Sequence, residues 1–276
     1  AQEGGQDAGI GQETAVSALA HGRLLPGAAT PQTAVLADQE QTADYSPFIS
    51  LEQAAAPDAL PGSGSITFSS NRSGDFDLYR RQFPDAAAAL LLHDSHDLAT
   101  PSWSPDGRYL LYASNADGDF DIFLRGPDDN PLKLTQNTAE DIHPSWSPDG
   151  RRILFSSNRQ GLYQVYSMDT AGGDVRQHGA IAGNHAIYPR YSPDGRRIAF
   201  MRASVVTPAC DWNWDIWVMA EDGSDLRRIT SQLGGDLYPN WSPDGQSIVY
   251  ARCEYLFTSD LYAVNLDTGA ETQLTN

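Results

Sequence analysis

Trp103-Ser-Pro-Asp-Gly107, Trp146-Ser-Pro-Asp-Gly150, Tyr191-Ser-Pro-Asp-Gly195 and Trp241-Ser-Pro-Asp-Gly245 are four copies of one phrase, with serine-to-serine spacings of 43, 45 and 50 residues. A period of that length belongs to the blades of a β-propeller. Serine at the first corner, proline presetting φ at the second, aspartate at the third and glycine closing the fourth is the order a type I turn prefers. Each phrase therefore joins two antiparallel strands.

The residues around the phrase extend the unit. Ile153-Leu-Phe-Ser-Ser157, Ile198-Ala-Phe-Met-Arg202 and Ile248-Val-Tyr-Ala-Arg252 are apolar, β-branched or aromatic runs that follow the turn and read as a buried second strand. After a polar loop comes a third-strand triplet: Asp77-Leu-Tyr79, Asp121-Ile-Phe123, Gln164-Val-Tyr166, Asp215-Ile-Trp217 and Asp260-Leu-Tyr262. A second turn then leads to a weaker fourth strand, and four strands make one blade. The triplet occurs five times and the phrase four. In the first unit Gly62-Ser-Gly-Ser-Ile66 replaces the turn, so residues 62–276 divide into five units. The expected fold is all-β: a five-bladed β-propeller of four-stranded antiparallel blades, preceded by an extended N-terminal arm over residues 1–61.

An aromatic residue, Ser-Pro-Asp-Gly, a hydrophobic strand and an Asp-aliphatic-aromatic triplet together resemble the TolB-type β-propeller repeat, from about residue 62 to the end. The resemblance implies a propeller scaffold and, by analogy, a role with partners in the cell envelope. The family carries six blades and a preceding α/β domain. This chain shows five units and no βαβ pattern upstream.

Composition narrows the partners. A net charge of −18 argues against nucleic acid, which requires a basic footprint. Lys133 is the one lysine beside seventeen arginines. No run approaches the ~20 apolar residues of a membrane span. The opening Ala1-Gln2-Glu3 lacks a charged-then-apolar leader and is read as the start of a mature chain, its signal peptide already removed, secreted to the extracellular space or the periplasm. Cys210 and Cys253 suit a disulfide pinning the long insertion Ala203–Trp214 onto the last blade, with two separate thiols as the alternative.

Three groups of residues are candidates for a site. Asp75, Asp117, Asp119 and Asp121 place carboxylates at alternate loop positions, which a hard cation such as Ca2+ can exploit. Asp77, Asp121, Asp215 and Asp260 share one repeat position, which points instead to side chains satisfying backbone donors at the strand entry. Thr100, His143, Tyr188 and Tyr238 all precede the proline ahead of the repeat and are expected to line a channel-mouth binding site. Asn71-Arg-Ser73 is a sequon in an outer loop, so a glycan on Asn71 is expected. No nucleophile elbow, His-Glu-x-x-His or phosphate loop is present, and the chain reads as a non-enzyme.

Residues 1–61 are rich in Ala, Gln, Gly, Thr and Pro, and are broken by Pro26, Pro31, Pro47, Pro57 and Pro61. Gln32-Thr-Ala-Val-Leu36 and Tyr45-Ser-Pro-Phe-Ile-Ser50 are short β-capable runs able to add a strand to a sheet edge, one of them as the innermost strand of the first blade. On sequence alone the favoured function is a secreted structural propeller. It would polymerise through this arm into an extracellular filament or surface assembly, bridged by calcium, with glycans as further partners. The competing function is a TolB-like periplasmic or envelope module that binds a protein or glycan over its channel.

Overall fold

The computed structural model describes residues 49–52, 64–72, 74–83, 87–179, 183–204, 213–232, 234–254 and 258–275. They form five four-stranded antiparallel sheets, each a meander in sequence order. The first holds β1 (Ile49–Glu52), β2 (Gly64–Ser70), β3 (Asp77–Phe83) and β4 (Ala89–Leu92). The second holds β5 (Leu98–Trp103), β6 (Leu110–Ser114), β7 (Asp121–Arg125) and β8 (Pro131–Lys133). The third runs β9 (Asp141–Trp146), β10 (Arg152–Ser157), β11 (Gln164–Asp169) and β12 (Arg176–Gln177). The fourth has β13 (Ala186–Tyr191), β14 (Arg197–Ser204), β15 (Asn213–Ala220) and β16 (Arg227–Arg228). The fifth has β17 (Gly235–Trp241), β18 (Ser247–Glu254), β19 (Thr258–Asn265) and β20 (Glu271–Gln273). This is the five-bladed propeller the repeat predicts. Among the described residues no helix is long and apolar enough to cross a membrane.

The Ser-Pro-Asp-Gly turns close as their residue order requires. Gly107, Gly150, Gly195 and Gly245 donate their amides to the carbonyls of Ser104, Ser147, Ser192 and Ser242 at 2.8–2.9 Å. Each glycine sits near φ +70°, a conformation that costs glycine little and other residues more. The serine hydroxyl donates to the aspartate two residues on, at 2.6 Å for Ser104–Asp106 and 2.5 Å for Ser192–Asp194. It also accepts the amide that leads into the next strand: the Tyr109 N–H donates to Ser104 Oγ at 2.9 Å. These bonds from serine hold Asp106 and Asp194 below the usual carboxylate range.

Sheets stack through apolar faces. Leu154 and Val165 of the third sheet pack on Ile198 and Phe200 of the fourth, and Ala199 and Ile216 of the fourth pack on Ile248 and Tyr250 of the fifth. The repeat aromatics cross these junctions. The indole N–H of Trp103 donates to Thr67 Oγ1 at 3.0 Å, that of Trp146 to Ser102 O at 3.1 Å, and that of Trp241 to Arg190 O at 3.1 Å. Each indole thus satisfies its one donor on the preceding sheet, with the Trp241 ring buried and those of Trp103 and Trp146 half-buried.

The first sheet takes its innermost strand, β1, from the segment upstream of residue 62, pairing Ile49 with Phe68 and Leu51 with Ile66. The last residues of the Tyr45–Ser50 run supply the start of it. The other part of the expected arm, residues 1–48 and 53–61, lies outside the described residues, and so does Gln32–Leu36.

Candidate functional site

The innermost strands β5, β9, β13 and β17 share an irregularity. Their pairing with the next strand slips between Ala99 and Ser102, opposite Leu154–Ser156 in the third sheet, between Ile187 and Arg190, and between Leu237 and Asn240. Each slip is a β-bulge of the kind that re-aims a side chain. The residue before each repeat proline lies in the left-handed region: Thr100 at φ 49°, His143 at 57°, Tyr188 at 56° and Tyr238 at 56°. Non-glycine residues with bulky side chains seldom adopt that conformation, and four at one repeat position mark a conformation that the fold enforces.

The bulges bring three of the four residues together. The His143 ring stacks on Tyr188 with centroids 3.6 Å apart, and Tyr188 meets Tyr238 edge-on at 4.9 Å. The series runs across three consecutive sheets. Thr100, His143 and Tyr188 are buried and Tyr238 is half-exposed. Thr100 Oγ1 has no hydrogen-bond partner among the described residues. Beside the series stands Arg190, which sequence reasoning missed. Its side chain is half-buried, its Nη1 donates to Pro189 O at 3.1 Å, and burial lowers its pKa. Among the described residues no carboxylate forms an ion pair with it.

The acidic candidates separate. Asp117, Asp119 and Asp121 bring one carboxylate oxygen each within 4.8 Å of the others, whereas Asp75 stands apart on the first sheet. Lys133 from β8 reaches into the group, bonding Asp117 and lying 2.7 Å from Asp121 Oδ2. The bond from Lys133 holds Asp117 low, while burial pushes Asp121 up against the opposing bonds from Lys133 and Thr135. Burial disfavours the ammonium, but its bonds to Asp117 and Asp121 outweigh that and raise its pKa. The lone lysine thus neutralises part of the charge a calcium ion would neutralise. Replacing Lys133 with methionine is expected to lower the thermal midpoint at neutral pH, and millimolar calcium should raise the variant's midpoint by more than the wild type's. Equal calcium shifts in the two proteins would show that ammonium and cation do not compete.

The repeated aspartates act at one remove. Thr135 Oγ1 donates to Asp121 at 2.7 Å and accepts the Ile122 amide at 2.9 Å. Thr275 does the same between Asp260 and the Leu261 amide, and Thr230 accepts the Ile216 amide at 2.9 Å. In the first sheet Asp77 accepts directly from the Asp94 amide at 3.3 Å. Asp121 and Asp260 thus orient a threonine hydroxyl that serves the strand entry, while Asp77 serves a backbone amide itself. Cys210 lies outside the described residues, and so does its pairing with Cys253, a half-buried residue of β18. Asn71 is half-buried at the end of β2, and Ser73 of its sequon lies outside the described residues.

Residues 93–207 match the family model described as the TolB beta propeller domain. The chain is similar in structure to TolB from Acinetobacter baumannii, with TM-score 0.64 and 21% identity over 77% of this chain and 51% of that one. It therefore spans about half the length of that relative. A putative TolB from Agrobacterium tumefaciens gives TM-score 0.64 and 25% identity over 76% of both chains. A puromycin hydrolase gives 0.56 at 15% identity over 83% of this chain and 39% of that one, a likeness of fold alone. No curated relative matches the chain. Three of the four Ser-Pro-Asp-Gly turns fall inside the matched stretch and the fourth repeats them residue for residue, so the TolB-type repeat matched at residues 93–207 continues beyond that stretch.

Proposed function

We propose that this chain is a non-enzymatic binding propeller of the cell envelope, working on the periplasmic side and holding a protein partner over its channel mouth. The observation that carries the reading is the joined series His143, Tyr188 and Tyr238 on three adjacent innermost strands, in a chain built from TolB-type repeats. Four strained backbone positions at one place in the repeat are the signature of a site whose geometry is held by its surroundings. The few residues that carry most of the binding energy of a protein interface are enriched in tyrosine, tryptophan and arginine. Here Tyr238 is half-exposed beside Tyr188, and Arg190, two residues along the strand from Tyr188, has no ion pair with a carboxylate among the described residues, so the partner offers a carboxylate. This reading replaces the filament that the sequence alone favours. The reading is of a binding module without catalysis, and the likeness to a puromycin hydrolase is one of fold.

The test is capture from a periplasmic extract on the immobilised chain, with Tyr238→Ala and Arg190→Gln as comparisons. Each substitution is expected to weaken capture of the same protein about 30-fold, the equivalent of ~2 kcal/mol for an interface anchor. Thermal midpoints are read alongside to show that the sheets remain intact. Capture that survives both substitutions in folded protein would refute the channel-mouth reading.

A further inference from the structure

His178 departs from the residue that its repeat position holds elsewhere. The amides of Leu134, Ile229 and Leu274 donate to the carbonyls of Ile122, Ile216 and Leu261 at 2.7–2.8 Å, and the His178 amide donates likewise to Val165 O at 2.9 Å. Three sheets thus place an aliphatic side chain where the third places an imidazole, 4% exposed. The backbone beside it is pressed against the next sheet. A Cβ on Gly223, in the turn after β15, would lie 2.6 Å from the Gly179 amide nitrogen and 3.3 Å from the His178 carbonyl carbon. The ring therefore stands in the seam between the third and fourth sheets.

Both ring nitrogens are engaged, one on each side of that seam. Nδ1 lies 2.6 Å from the carbonyl oxygen of Glu221 in the fourth sheet's turn, and Nε2 lies 2.8 Å from Ser167 Oγ on β11 of the third sheet. A carbonyl only accepts, so Nδ1 carries the hydrogen. In a neutral ring Nε2 is then an acceptor, and the Ser167 hydroxyl donates to it. The serine oxygen in turn accepts from Arg152, Nη2 at 2.7 Å and Nε at 3.3 Å. Every hydrogen from Arg152 through Ser167 and His178 to Glu221 O has one direction, and that direction requires the neutral imidazole.

We propose that His178 is a proton-sensitive latch: the neutral ring ties the turn at residues 220–224 to the third sheet, and the protonated ring releases it. A second ring hydrogen would aim Nε2–H at an oxygen that already receives two guanidinium N–H groups, and would turn the serine hydrogen away from its acceptor. The surrounding charges weigh the same way. Arg152 on β10 and Arg176 on β12 both oppose a cation there, and Asp174 is already shared between these two arginines at 2.8 and 2.6 Å. Across the seam stand Tyr191, whose buried hydroxyl makes no hydrogen bond among the described residues, and the half-exposed Glu221, whose carboxylate favours the cation. Burial and the two arginines outweigh Glu221 and its carbonyl, and hold the ring's pKa below the ordinary 6.5.

The sign of the response follows. Released, the ring takes up a proton near 6.5; latched, it does so only at lower pH. The closed seam is therefore fully supported above pH 6.5, and loses that support as pH falls from 6.5 through the latched ring's lower value. Two other histidines touch this seam. His143 stacks on Tyr188 at its channel end, and His185 accepts the Tyr163 amide through Nδ1 at 3.3 Å, with burial lowering its pKa as well. His185 acts with the same sign, so the experiment separates it from His178.

The experiment is an NMR titration of the full chain with labelled histidine between pH 8 and pH 5, with amide hydrogen exchange read on the same samples. Wild type is compared with His178→Leu and His185→Gln. Leucine is the residue that the second and fifth sheets carry at this position, so the variant keeps a side chain suited to the seam. In the wild type the His178 ring is expected as the Nδ1–H tautomer with a pKa below 6.5. After correction for the intrinsic pH dependence of exchange, amides at 176–178 and 220–224 should exchange about tenfold faster at pH 5 than at pH 8, while those of β6 hold steady. That rise should vanish in H178L and persist in H185Q. An Nε2–H tautomer, a His178 pKa at or above 6.5, or a rise that H178L retains would overturn the proposal. If H178L does not fold, the tautomer and pKa of the wild-type ring decide.

Discussion

Gly172→Ala is expected to lower the thermal midpoint by roughly 10 °C, far more than the same change at Gly269. Gly172 closes the turn after β11 at φ +83°, and a Cβ placed there would lie 2.4 Å from the carbonyl oxygen of Leu134. Leu134 belongs to the neighbouring second sheet, and its amide is already committed to Ile122 O at 2.7 Å. Neither backbone can yield without parting the two sheets. A non-glycine residue in the left-handed region costs about 1–3 kcal/mol, and overpacking adds about 1–3 kcal/mol. For a propeller of this size each kcal/mol is worth about 2–4 °C. Gly269 occupies the corresponding turn of the fifth sheet at φ +69° with nothing within 4 Å of its would-be Cβ, so Gly269→Ala isolates the dihedral cost. Thermal melts of the two variants separate the effects. Equal losses would mean that sheet-to-sheet approach at Gly172 contributes nothing. Gly223 offers a repeat of the test one sheet on, where a Cβ would meet the Gly179 amide nitrogen at 2.6 Å.

The contrast between Gly172 and Gly269 shows what could be read from the chain and what could not. Within one unit the chemistry is local. Ser-Pro-Asp-Gly states its turn because hydroxyl, ring, carboxylate and glycine act on neighbours two to five residues away. The alignment of Thr100, His143, Tyr188 and Tyr238 was equally legible, since the repeat proline marks the position. That three of them touch was not, because the stack needs the stagger of adjacent sheets. Lys133 was conspicuous as the one lysine, but its place between Asp117 and Asp121 depends on a hairpin that folds residue 133 back over residue 117. Thr135 and Thr275 hid for the same reason, fourteen and fifteen residues from the aspartates they bond. His178 was the least legible feature. It stands where Leu134, Ile229 and Leu274 stand in other sheets, and only the fourth sheet's turn supplies the Glu221 carbonyl that it bonds.

Arg252→Leu is expected to cost about 3–5 kcal/mol of stability, the penalty for breaking a buried ion pair on one side. Arg252 and Asp236 face each other across β17 and β18 with side chains 8% and 2% exposed. The guanidinium donates from Nε to Asp236 Oδ1 at 2.8 Å and from Nη2 to Oδ2 at 3.2 Å. It reaches Glu271 on β20 through Nη1 at 3.0 Å and Nη2 at 2.9 Å, and Tyr250 donates its hydroxyl to the same glutamate at 2.8 Å. Leucine fills most of the volume but leaves Asp236 buried without a cation. Burial already pushes the Asp236 carboxyl up, opposed by its bonds and charge interaction with Arg252. Removing the arginine removes the opposition, so in the variant the folded carboxyl binds its proton more tightly than the unfolded one. The folded state then gains protons relative to the unfolded state, and stability falls as pH rises from the ordinary aspartate value of 3.8 through the raised folded value. The variant's deficit against wild type should therefore be larger at pH 8 than at pH 5. Glu271, 26% exposed, keeps access to water and contributes less to that slope. Adding Asp236→Asn removes the charge and should recover more than half of the loss at pH 8. Denaturant unfolding of wild type, single and double variants at both pH values checks this. A deficit that is the same at pH 5 and pH 8, and that the asparagine leaves in place, would trace the loss to the guanidinium's packing over the Tyr262 ring, 4.6 Å away, and not to the stranded charge.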